Sequence, residues 1–144
     1  MSAEMVKAFY RDILTQVLSL ESRKKRTSER LLLTKSQRQR LKIIREFLTL
    51  DLDKHSLLEQ AAVVAVRNNS DEVLNHLSKL YALENNDEIV EGIREEVRRT
   101  QKLLLPVVNE IKYPKTSGFL ERRLIQEVNK YVTVQAREYV KTNL

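Results

Sequence analysis

Cysteine and tryptophan are absent from this chain, and glycine, proline and histidine occur only twice each. Without cysteine there is no disulfide, no thiolate metal site and no cysteine nucleophile. Such a chain is compatible with a reducing compartment. Two glycines cannot form a glycine-rich phosphate loop, and they are too few for the many tight turns of a β-rich fold. His55 and His76 are far apart in sequence and belong to no HExxH motif, so there is no paired-histidine metal signature. The longest apolar runs, residues 61–66 and the proline-interrupted residues 103–108, span six positions. A membrane helix needs about 20. The opening residues lack the basic start and apolar stretch of a secretory signal. The expectation is a soluble, intracellular protein with no membrane segment, no metal and no cofactor.

Catalytic pairs are also missing. Asp87 with Glu88, and Glu95 with Glu96, are direct neighbours and point to different faces of a helix. Glu72 and His76 are spaced for an ion pair or hydrogen bond on one helix face. Glu91, Arg94, Glu95 and Arg98 are spaced as solvated ion pairs. No enzymatic activity is expected.

What is present is helical periodicity. The 144 residues are 42 % hydrophobic and 32 % charged, which suits a single folded domain spanning 1–144. Met5, Phe9, Ile13, Val17 and Leu20 form a stripe at spacings of three and four, predicting a helix over 5–22. A break is expected near Thr27 and Ser28. Thr34 with Gln37, and Ser56 with Glu59, have capping-box spacing and predict helices over about 34–50 and 56–67. Ser70 starts a fourth helix, carrying Val73, Leu74, Leu77 and Leu80. Asn85 with Glu88 starts a fifth over about 86–112, in which Pro106 is expected to kink or break the helix. Residues 113–118 read as a loop. A sixth helix is expected over 119–141, with a strand at 131–134 as a lesser alternative. The predicted fold is all-α: a compact five- or six-helix bundle.

Charge is the strongest signal. The net charge is +6, divided as −1 over residues 1–22, +9 over 23–45, −6 over 46–99 and +4 over 100–144. The basic stretch holds Arg23, Lys24, Lys25, Arg26, Arg30, Lys35, Arg38, Arg40, Lys42 and Arg45 against one acid, Glu29. A run of like charge repels itself and gains most by displacing counterions from a polyanion. Lys35, Arg38, Lys42 and Arg45 fall on one helical face that could follow a phosphate strand. No aromatic residue interrupts the stretch, which favours duplex backbone contact over base stacking. A solvated face, internal pairing with the acidic middle, or an acidic protein partner remain open readings.

Residues 56–80 resemble a helix-turn-helix pair, with the turn at Asn68 and Asn69 and with Asn75, His76 and Lys79 outward on the second helix. The resemblance implies a DNA-reading second helix. Here the turn has Arg67 and Asn68 in place of the usual glycine and apolar residue, and the second helix opens with Asp71 and Glu72. Carboxylates there would meet phosphates. A plain hairpin within a bundle gives the same pattern.

The C-terminal helices are apolar over more than one stripe. Plain core is one reading. A homodimer face or docking groove, touching through Leu104, Val108, Tyr131 and Tyr139, is the other. The sequence leads to a non-catalytic, basic helical protein that contacts nucleic acid within a transcription, replication or genome-packaging assembly. The alternative is an adaptor or inhibitor whose basic segment grips an acidic surface, for instance on a polymerase.

Overall fold

The computed structural model describes residues 1–112 together with Arg122, Ile125, Gln126, Asn129 and Lys130. The fold is all-helical, and no strand occurs among the described residues. Within residues 1–112 four α-helices follow in order: α1 Ala3–Leu33, α2 Gln37–Arg67, α3 Asp71–Leu80 and α4 Ile89–Lys112, the last preceded by a 3-10 turn at Asn86–Glu88. The expected loop at 113–118, the sixth helix and the strand alternative at 131–134 lie wholly or mostly outside the described residues. No described helix is long and apolar enough to cross a membrane.

Two expected breaks are absent. Helix α1 passes through Thr27 and Ser28 without interruption. Their hydroxyls donate back to the carbonyls of Arg23 and Lys25, at 2.8 and 2.7 Å, so these buried polar groups are satisfied inside the helix. Helix α2 likewise runs through the 51–56 stretch. The capping-box spacing of Ser56 and Glu59 suggests a start there, but the polar residues just before it, Asp51 and His55, lie one helical turn apart and are both buried. Asp51 is met by Lys24 of α1 and Thr100 of α4, and His55 by Tyr81 just after α3, so the helix has no need to end. Thr34 does not start α2. It closes α1, donating its hydroxyl to the Arg30 carbonyl at 2.7 Å, and Ser36 takes the capping position, its carbonyl accepting from Arg40 N at 2.9 Å. Helix α4 continues past Pro106 to Lys112.

The chain divides into two compact units. The first comprises Met1–Leu20 and Leu52–Arg99, the second Glu21–Asp51 and Thr100–Leu144. The core of the first unit is built by Val6, Tyr10, Ile13 and Val17 of α1, Leu58, Ala61, Ala62 and Ala65 of α2, Val73, Leu74 and Leu77 of α3, and Ile89 and Ile93 of α4. The α3 and α4 positions, and Ile13 and Val17 of α1, are those expected from the helical stripes; Met5, expected on the α1 stripe, is exposed, and Val6 and Tyr10 are buried instead because the face turned to the core is one residue further round. The alanines of α2 allow close helix approach. The core of the second unit gathers Leu31, Leu41, Ile43, Ile44, Phe47, Leu48, Val107 and Ile125.

The turns on either side of α3 share one geometry. Asn69, at φ 50°, follows α2; Ala82, at φ 53°, follows α3. At the end of α2, Ser70 N donates to Ala65 O and Asn69 N to Val66 O; at the end of α3, Leu83 N donates to Ser78 O and Ala82 N to Lys79 O. Both are Schellman closures, whose left-handed position is usually glycine. In a chain with two glycines, asparagine and alanine fill it.

Candidate nucleic-acid interface

Residues 23–45 lie in the second unit. They occupy the end of α1, the link at 34–36 and the start of α2. The two helices run antiparallel here. Arg30 of α1 meets Glu46 of α2 at 3.2 Å, and Lys24 meets Asp51 at 2.7 Å. The basic stretch is therefore a helical hairpin with its tip at residues 34–36.

Eight of the ten predicted side chains are exposed: Arg23, Lys25, Arg26, Arg30, Lys35, Arg38, Lys42 and Arg45. At about 100° per residue, Arg23, Arg26 and Arg30 fall within a ~60° arc of α1, and Arg38, Lys42 and Arg45 within a ~60° arc of α2. Lys35 sits in the link ahead of α2 rather than on the helical face expected for it.

The other two residues have work inside the fold. Lys24 is only 3 % exposed. Its ammonium reaches Asp51 Oδ1 at 2.7 Å and Glu21 Oε1 at 3.3 Å, and lies 5.1 Å from the centre of the Phe47 ring. Asp51, fully buried, also accepts from Thr100 Oγ1 at 2.8 Å. This network joins α1, α2 and α4 within the second unit and removes Lys24 from any phosphate-facing surface. Its fully buried Asp51 and Thr100 carry no sequence signal, because each looks like an ordinary helix-surface residue. Arg40 is half-buried. Its Nη1 donates to the carbonyls of Leu31 and Thr34, at 2.8 and 2.7 Å, and its Nη2 to Asn129 Oδ1 at 2.9 Å. It thereby satisfies carbonyls that the end of α1 leaves open and fixes the hairpin tip.

The helix-turn-helix segment has a different character. Asp71 and Glu72 are exposed at the start of α3. Asn75 accepts from Asn86 Nδ2 at 2.7 Å, and His76 is hydrogen-bonded to Tyr10 Oη. Two of the three outward residues are thus engaged within the first unit. Glu72 and His76 do not pair with each other: Glu72 holds Lys7 at 2.8 Å. That contact raises the Lys7 pKa and lowers that of Glu72. Arg94 reaches Glu59 of α2 at 2.8 Å, and Arg98 pairs with Glu91 two turns away, in place of the pairs expected within one turn. His55 Nδ1 lies 2.7 Å from Tyr81 Oη.

Leu104 packs against the core of the second unit, and Val108 is half-buried. Tyr131 and Tyr139 lie outside the described residues. Among the described residues no group of three His, Asp or Glu side chains is placed to hold a metal ion. No protein-family profile matches the chain, and neither the curated proteins nor the solved structures contain a significant match.

Proposed function

We propose that this is a non-catalytic helical-bundle protein that binds duplex nucleic acid through the backbone, acting inside the cell as a regulator or accessory subunit of a transcription, replication or genome-packaging assembly. The observation that carries this reading is the hairpin of the second unit. Eight basic side chains are exposed there, on two helical arms and the link between them. The second unit as a whole has 18 basic and 8 acidic residues in its sequence; the first has 8 and 12. The positive charge is therefore gathered on one unit instead of being mixed over the surface. Lys and Arg neutralise phosphates by releasing condensed counterions, and this supplies affinity without sequence readout. The absence of aromatics from 23–45 fits backbone contact.

The test is a salt titration of binding to a short labelled duplex. Log affinity is expected to fall with log salt at about −0.9 per phosphate contacted, with at least about four contacts. Replacing Arg23, Arg26, Arg38 and Lys42 by Glu is expected to weaken binding and flatten that slope by about 1 per residue. All four are exposed, so the fold should survive. Failure to bind at low salt would overturn the proposal.

A further inference from the structure

Leu32 and Leu33 are the most exposed large apolar side chains among the described residues, at 75 % and 84 %. They form the last turn of α1, at the tip of the basic hairpin. Leu33 extends the line of Arg23, Arg26 and Arg30 at spacings of three, four and three, so it terminates that basic stripe. Arg30 precedes the leucines, Lys35 and Arg38 follow, and all three are exposed. The backbone carrying them is held in place by Arg40, through the carbonyls of Leu31 and Thr34.

Two adjacent leucines in water are unfavourable for the isolated fold. Set among cations on a fixed tip, they suit a partner that offers anions outside and an apolar interior behind them. Stacked bases between two phosphate strands offer both. We propose that the tip leucines, Leu33 at the end of the basic stripe and Leu32 about 100° around the helix from it, form a two-sided wedge that enters duplex nucleic acid where stacking is already interrupted, at a mismatch, a gap or a fork between paired and unpaired strands. The arms of the hairpin then hold the flanking phosphates. The inference rests on the backbone-binding function proposed above and adds the kind of site preferred. Apolar side chains inserted between base steps must overcome stacking, and this is easiest where stacking is already broken.

An anionic bilayer combines the same two chemistries, but the reach of the charge favours nucleic acid. From Arg30 back to Arg23, and from Arg38 on to Arg45, each stripe extends about 10 Å along its helix. A bilayer touched by the tip would leave the far ends about a Debye length away, ~8 Å at physiological salt. Along a duplex, the same 10 Å covers about three base-pair rises of 3.4 Å.

The experiment measures binding of the full chain, at one salt concentration, to duplexes of equal length that are uninterrupted, mismatched or forked, and to phosphatidylserine vesicles. The wild type is expected to bind the mismatched and forked duplexes at least about tenfold more tightly than the uninterrupted one, because less stacking has to be broken. A Leu32→Ser/Leu33→Ser variant, with its helix content checked by circular dichroism, is expected to lose that preference and keep its affinity for the uninterrupted duplex. Equal binding of the wild type to all three duplexes overturns the wedge and leaves backbone binding standing. No binding to any duplex overturns both. Leucine-dependent binding to vesicles, with no leucine effect on duplexes, overturns the wedge in favour of a membrane.

Discussion

At the scale of single residues, the structure separates charges that look alike in the sequence. Lys24 and Lys25 are neighbours, yet one is locked onto Asp51 and the other is exposed. Removing Asp51 leaves the buried Lys24 with only the longer contact to Glu21, at 3.3 Å, and takes the acceptor from Thr100. Asp51→Ala is therefore expected to destabilise the protein by about 3 kcal/mol in denaturant unfolding. The Lys24→Met/Asp51→Leu double variant should recover much of that loss, because an apolar pair of similar size avoids the desolvation of both charges. If the double variant is as unstable as the single one, the hydrogen bond from Thr100 outweighs the ion pair. Tyr10 makes a second residue-scale prediction. Burial raises its phenol pKa above the ordinary 10.0, so the folded state disfavours the ionised form. Stability from this group is complete below pH 10.0 and declines as pH rises further, since the unfolded chain ionises first. Thermal melts above pH 10 should fall less steeply for Tyr10→Phe than for wild type. At neutral pH that variant should be less stable by about 1 kcal/mol, for the lost bond to His76.

At the scale of elements, local pattern and tertiary partnership make separate contributions. Helix α3 is legible in the sequence because its apolar residues recur at one helical period, and the structure buries Val73, Leu74 and Leu77 as expected. The start of α4 is legible to within one turn: Asn85 and Glu88 suggest a start at about 86, where a 3-10 turn stands, and the α-helix begins at Ile89. The lengths of α1 and α2 are not. Thr27, Ser28, Asp51 and His55 look like surface residues until their partners are known, and those partners lie three or four residues back in the helix, on other helices or, for His55, in the turn after α3. The eight exposed basic residues could be read from composition; the burial of Lys24 and the tip-closing role of Arg40 could not, because both depend on long-range contacts. The αL turns give a testable case. Alanine at positive φ costs about 1 kcal/mol, and a change to glycine recovers part of it while adding freedom to the unfolded chain. Ala82→Gly should therefore raise the melting temperature slightly. Gly92→Ala is a useful contrast: the added Cβ would come within 2.8 Å of Leu83 Cδ1, a movable side-chain end. It should stay within about 1 kcal/mol of wild type, as helix propensity offsets the displacement.

At the scale of the whole molecule, the uneven charge has a thermodynamic signature of its own. A unit with 18 basic and 8 acidic residues repels itself, and screening relieves that repulsion. Raising salt from about 10 mM to about 150 mM, which shortens the Debye length from ~30 to ~8 Å, should raise the melting temperature. A fall would mean that surface ion pairs such as Lys7–Glu72 and Arg94–Glu59 dominate the balance. Binding and stability thus respond to salt in opposite directions, so the two effects can be measured apart. The closures around α3 bear on a different property, cooperativity. The helix has ten residues, short of the ~12–15 at which even favourable sequences begin to hold alone, and non-glycine left-handed residues border it on both sides. Its apolar face and a few polar contacts, Glu72 to Lys7, His76 to Tyr10 and Asn75 to Asn86, are what tie it to the unit. Its backbone amides should exchange with solvent through openings much smaller than global unfolding, making α3 the segment through which the first unit breathes.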